Sequence, residues 1–219
     1  MATRQLLAEL ARAWQERSAS TVEIESVGGV DAAKRVQAGE AFDLVVLASD
    51  AIEKLVDAGR VLPGSRVDLV RSGVSVAVRA GAALPDISSE DAVRRAVLAA
   101  RSLSYSTGPS GVALQKLFER WGIAQDIQPK MVQAPPGVPV GSLVAKGEVE
   151  LGFQQLSELI HLEGIAIVGP LPEAIQVTTI FSAGVCAATQ NPDAVRALLA
   201  FMASPDTSAA KRHQGMEPA

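Results

Sequence analysis

The densest run of residues able to do chemistry is Ser104-Tyr105-Ser106-Thr107-Gly108-Pro109-Ser110-Gly111. Small hydroxyl residues and glycines let backbone N–H and side-chain O–H groups converge on an anion at the start of a helix, where the helix dipole also favours negative charge. An ordinary capped strand-to-helix turn uses the same residue types. What favours anion binding by Thr107 and Ser110 is recurrence. Gly28-Gly29-Val30-Asp31 and Pro135-Pro136-Gly137-Val138-Pro139 are further Gly- or Pro-rich entries into helices, each expected to follow a strand. Entries at the carboxyl ends of strands face the crevice where α/β sheets bind ligands. Gln154-Gln155 closes a mostly apolar strand. An amide pair is a neutral donor set for a carboxylate held without a buried countercharge, and it is equally a plain strand end.

Other chemistries find little support. Neither G-x-x-x-x-G-K-[ST] nor G-x-G-x-x-G occurs, so the Gly-rich turns are not nucleotide fingerprints. Gly108-Pro109-Ser110-Gly111-Val112 departs from the G-x-S-x-G elbow of serine hydrolases in spacing and in its last residue, and no histidine has a place as its base. The single cysteine, Cys186, makes no internal disulfide, and two histidines fall short of a zinc cluster, so neither metal nor cofactor is expected. His161, between Ile160 and Leu162, and His213, in a polar tail, read as structural or solvated. No catalytic residue is assigned; Tyr105 and Glu158 are the nearest candidates for a base.

The elements that must position these groups alternate. Leu6, Leu7, Leu10, Ala11 and Trp14 recur at helical spacing behind Thr3, a candidate N-cap. A short strand is expected over Thr21–Glu25, a helix from Gly28-Gly29 to Gly39, a buried strand over Asp43–Ala48, and a helix capped by Ser49-Asp50 and closed by Gly59. A long β stretch, Val67–Arg79, follows. Helix Ser89–Ala100 then leads to strand Ser102–Ser106, helix Val112–Trp121 to strand Lys130–Gln133, and helix Val140–Lys146 to strand Val149–Gln154. Gln176–Thr189 is a second long β stretch, and Asn191-Pro192-Asp193 starts an apolar helix through Met202. Alternation of this kind specifies an α/β fold with parallel sheets covered by helices. The two long β stretches bracket a middle block, which suggests a lobe of residues 73–177 inserted into a lobe of residues 1–72 and 178–219, with two crossing strands as hinge.

With 48% apolar and 20% charged residues, the 219-residue chain is a globular protein able to bury a sizeable core. A net charge of −4 without any Lys/Arg run argues against nucleic acid or an anionic membrane as partner. Met1–Ser20 reads as an amphipathic helix with Arg4, Glu9, Arg12, Glu16 and Arg17 spread through it, not as an export signal, so the sequence as written reads as cytoplasmic.

Val36-Gln37-Ala38-Gly39-Glu40-Ala41-Phe42-Asp43-Leu44-Val45-Val46-Leu47-Ala48, followed by Leu55-Val56-Asp57-Ala58-Gly59, resembles the type II periplasmic substrate-binding proteins of the molybdate-binding group. Also similar are Pro109-Ser110-Gly111, Lys146-Gly147-Glu148-Val149-Glu150-Leu151-Gly152 and Gly215-Met216-Glu217-Pro218-Ala219, in the same order along essentially the whole chain. The resemblance implies two α/β lobes with parallel or mixed sheets, joined by two crossing strands and closing on a small oxyanion. It places the ligand loops at Ala2 and Thr3, at Gly28 and Gly29, at Thr107 to Ser110, at Val138 and at Gln155, with Gln154 beside it. The serine-rich second loop of the group is Gly-Gly here, and the tyrosine that molybdate binders carry at the end of the last strand of the inserted lobe is matched by Gln155. Both departures argue against molybdate or tungstate.

Tyr105–Gly111 and Gly152-Phe153-Gln154-Gln155-Leu156-Ser157-Glu158-Leu159 look more like the branch containing aconitate isomerase, which uses this fold on a tricarboxylate. The group begins with a signal peptide and a first strand, whereas this sequence begins at the following helix. The expectation is therefore a start upstream of Met1, a missing first strand in lobe 1 and a periplasmic location. The implied role is that of a monomeric binding protein of ABC-transporter type, closing over a small carboxylate, tricarboxylate or oxyanion and presenting it to a permease. The alternative is an isomerase moving an allylic proton in bound aconitate.

Overall fold

A computed structural model describes residues 2–135 and 137–219; Met1 and Pro136, the latter part of the 135–139 helix entry, lie outside the described residues. The chain forms two compact units, one of Met1–Ser72 and Thr179–Ala219, the other of Gly73–Thr178. Unit 1 begins with α1 (Arg4–Arg17), α2 (Gly29–Gln37), β1 (Leu44–Ala48), α3 (Ser49–Asp57) and β2 (Val67–Arg79), and β2 passes into unit 2 at Gly73. Unit 2 continues with α4 (Glu90–Ala99), β3 (Leu103–Tyr105), α5 (Pro109–Arg120), α6 (Ala124–Ile127), β4 (Met131–Gln133), α7 (Val140–Lys146), β5 (Leu151–Gln155), α8 (Leu156–Leu159) and β6 (Ile165–Pro170). The chain returns to unit 1 through β7 (Thr178–Val185), α9 (Pro192–Ala203), α10 (Ser208–His213) and β8 (Glu217–Pro218).

In unit 1, β1 pairs antiparallel with β7, and β8 pairs antiparallel with the first half of β2. Leu6, Leu7 and Leu10 of α1 pack with Leu198, Leu199 and Met202 of α9. A second apolar cluster joins Val36 of α2 to Ile52 and Leu55 of α3 beneath β1.

In unit 2, β3 pairs parallel with β4 on one side and β5 on the other, while β2 pairs antiparallel with β5 and β6. The carboxyl ends of β3, β4 and β5 therefore lie along one sheet edge. One face of this sheet is covered by α4 and α5, whose Val93, Val97, Leu114 and Phe118 join Leu103, Leu151 and Phe153 in the core. The Phe118 and Phe153 rings meet edge-on at 6.1 Å and 71°, a geometry that contributes about 1 kcal/mol beyond area burial. On the other face α7 approaches closely because β5 carries Gly152: a Cβ there would lie 2.6 Å from Val144 Cγ2.

The sheets are mixed, within the fold class expected, and parallel pairing is confined to β3 and its two neighbours. Several local expectations change. Thr21–Glu25 forms no strand; the alternation of Val22 and Ile24 is present, but the segment has no ladder partner among the described residues, and a lone strand leaves its backbone groups unpaired. Instead Arg35 ties it down, with Nη1 2.5 Å from Glu25 and Nε 2.8 Å from Glu40, its guanidinium 4.7 Å from the Phe42 ring centre. The expected helix Val112–Trp121 begins three residues earlier, because Pro109 takes the first helical position with its φ preset. Ser49 and Asp50 lie inside the first turn of α3 behind Ala48. His213, expected in a polar tail, ends α10, which is closed against α1 by a bond from Gln214 Nε2 to Glu9 at 3.1 Å. The short elements β6, α6 and α8 carry no periodicity long enough to announce them.

Candidate functional site

The site is built on the carboxyl edge of β3, β4 and β5 in unit 2. β3 ends at Tyr105, whose ring lies in the core and whose hydroxyl accepts from Gln115 Nε2 at 2.6 Å. That bond fastens the strand end to the second turn of α5. Ser106 and Thr107 turn the chain, Gly108 is the N-cap and Pro109 opens the helix. Ser106 Oγ lies 3.3 Å from Ser110 Oγ and accepts a long bond from Gly108 N–H at 3.4 Å. Gly111 N–H and Val112 N–H both donate to Gly108 C=O, at 3.0 and 3.2 Å. Ser110 N–H and Thr107 N–H have no acceptor among the described residues. A 12-residue helix thus presents its positive end together with two free amides and three hydroxyls. Ser110 is buried and Thr107 exposed.

The β5 edge adds two amides of opposite fate. Gln154 Oε1 accepts from Val140 N–H at 2.8 Å and from Gly141 N–H at 3.4 Å, and its Nε2 donates to Glu158 Oε2. Both ends of the Gln154 amide are therefore consumed within unit 2. Gln155, one residue on and facing the opposite way, is buried and makes no side-chain hydrogen bond among the described residues. Burial raises the carboxyl of Glu158 above its ordinary value, against the opposing hydrogen bond from Gln154. Val138, on the β4 side, is exposed, and its N–H closes a turn on Pro135 C=O at 3.0 Å.

The remaining sequence-derived residues lie in unit 1. Thr3 occupies the N-cap position of α1, but its side chain makes no capping bond; its φ of −89° and ψ of −1° are already helical, so only its carbonyl enters the helix, accepting from Leu7 N–H at 2.9 Å. Gly28 is the N-cap of α2, with Gly29 as its first residue. Asp31 in that first turn places a carboxylate of the chain's own at this helix end. Sequence reasoning missed Gln115 and the joint role of Gln154 and Glu158. The four-residue spacing of Gln154 and Glu158 was visible, but it straddles a strand end and a short helix, where helical spacing carries no rule.

Comparison with known proteins decides the family. The profile of the bacterial extracellular solute-binding proteins matches residues 1–217. The chain belongs to this family. An aconitate isomerase from Pseudomonas sp. is 42% identical to this solute-binding protein over 185 residues, covering 84% of this chain and 70% of that one. Among solved structures, the periplasmic molybdate-binding protein of Azotobacter vinelandii matches with a TM-score of 0.79 at 22% identity, over 98% of this chain and 94% of that one. The substrate-binding domain of a putative molybdenum ABC transporter from Clostridium difficile matches with a TM-score of 0.78 at 14% identity, over 100% and 95%. These likenesses establish the periplasmic-binding-protein fold for this member of the family. Among the described residues no helix is long and apolar enough to cross a membrane.

Proposed function

We propose that the chain binds a small carboxylate and delivers it to a membrane permease, receiving one anionic group of the ligand at the start of α5. The observation that carries this reading is the set of unspent donors there, the Ser110 and Thr107 amides and the Thr107 hydroxyl, beside the mutually bonded Ser106 and Ser110 hydroxyls. Replacing a ligand's water shell needs donors that the protein has not already satisfied. Neutral Gln155, where molybdate binders of this fold have a tyrosine, favours a carboxylate over molybdate. Thr3, Gly28 and Gly29 are proposed as further ligand contacts from unit 1. Calorimetry against citrate, cis- and trans-aconitate, malate, sulfate and molybdate is expected to rank a carboxylate first. Tight molybdate binding with no carboxylate binding would overturn the reading.

A second reading, isomerisation of aconitate, is favoured by the 42% identity to the Pseudomonas enzyme. Moving an allylic proton needs a base within reach of the carbon acid. Glu158, whose proton is held more tightly than usual, is the carboxylate along the 154–158 edge available for that role. Incubation with cis-aconitate in deuterated water separates the readings: deuterated trans-aconitate establishes the enzyme, and binding without turnover leaves the carrier.

A further inference from the structure

The two helix starts on this sheet edge differ in how their donors are used. At α5, Ser110 N–H and Thr107 N–H are unspent. At α7, none is. Pro139 has no N–H, Val138 N–H is bonded to Pro135 C=O and Ser142 N–H to Pro139 C=O, each at 3.0 Å, and Gln154 Oε1 takes Val140 and Gly141 N–H.

The orientation of the Gln154 amide is not free. An ionised carboxylate only accepts, so Glu158 holds the Nε2 end of Gln154 and turns the oxygen toward α7. Reversing the amide would set oxygen against carboxylate and NH₂ against the α7 donors. An anion near α7 would meet donors that are already satisfied.

We propose that Glu158, acting through Gln154, closes the start of α7 to anions, so that unit 2 receives an anionic group at the start of α5 alone. The clause about α5 rests on the carboxylate-binding reading above; the clause about α7 stands without it. Gln154 is then a positioning residue and not a ligand donor, and Glu158 is the residue that orients it.

Amide hydrogen exchange in the ligand-free protein tests the positioning. In Glu158→Leu the orienting acceptor is lost, and Val140 and Gly141 are expected to exchange about tenfold faster, the worth of roughly one hydrogen bond. Glu158→Gln keeps an acceptor oxygen without the charge and is expected to restore protection to within about twofold. A role limited to packing would not distinguish the two variants in this way. Citrate, followed by amide chemical shifts in the parent protein, is expected to move Thr107 and Ser110 and to leave Val140 and Gly141 in place. Unchanged exchange in Glu158→Leu overturns the proposal, as does a citrate shift at Val140 as large as that at Ser110. If citrate moves neither set, the carboxylate reading and the α5 clause fail together, and the exchange rates still decide whether Glu158 holds α7 closed.

Discussion

Gly111 sits so close to the end of β3 that a Cβ on it would lie 1.8 Å from the carbonyl oxygen of Ser106 and 3.0 Å from Tyr105 Cδ2. The first contact is with backbone, which cannot swing aside, so the start of α5 is set against the strand end by the absence of a side chain.

Gly111→Ala is therefore expected to displace the first turn of α5 at a cost of about 1–3 kcal/mol, the usual range for overpacking. Urea unfolding reads the stability loss. Calorimetry with the best-binding carboxylate is expected to show an accompanying loss of affinity. An alanine variant with parental stability would mean that the turn shifts freely and is not a preformed cradle.

Ser110→Ala removes a hydroxyl from the cradle while leaving its amide. If the hydroxyl donates to a charged ligand group, binding weakens by about 1.5–3 kcal/mol, roughly ten- to a hundredfold. If it serves only its neighbour Ser106, stability changes and the dissociation constant stays within about twofold. Measuring both quantities on the one variant separates a ligand donor from a turn residue.

Glu158 gives a pH dependence with a definite sign. Its folded-state carboxyl is raised from the ordinary 4.5, chiefly by burial. The folded chain binds that proton more tightly than the unfolded chain, so the associated stability is full below the unfolded value and is lost as pH rises through the folded one. Glu158→Gln cannot titrate. The stability of this variant relative to the parent is expected to improve as pH is raised from about 4 to about 7, read by urea unfolding at each pH. A difference independent of pH would show that Glu158 titrates alike in both states.

Cys186 is buried in unit 1, and burial, with the nearby Asp43 carboxylate, pushes its thiol up to about 11. A thiol reagent at about pH 8 is expected to leave it unmodified in the folded protein and to react once the chain is unfolded. Rapid modification under native conditions would contradict that placement.

Local chemistry made much of this architecture readable. The long β stretch Val67–Arg79, rich in valine, and the apolar run Val140–Lys146, stopped by Gly147 in the left-handed region, matched observed elements residue for residue. The likeness of 36–59 and 146–152 to periplasmic binding proteins agreed with the family that the profile shows. The same local patterns misled where an element depends on a partner elsewhere. Thr21–Glu25 has the alternation of a strand and no neighbour to complete its ladder.

What the residue types alone determined is that small donors gather at helix starts: Ser106, Thr107 and Ser110 before α5, and Gln154-Gln155 at the end of β5. Which of those donors remain available was decided by tertiary structure. Gln154 and Gln155 are adjacent and chemically identical, yet one is spent on Val140, Gly141 and Glu158 while the other forms no side-chain bond among the described residues. The reason is geometric: successive side chains of a strand point to opposite faces, and only one face of β5 carries α7. A hydrogen-bond donor is a property of a residue, but whether it is free to meet a ligand depends on acceptors that folding brings to it.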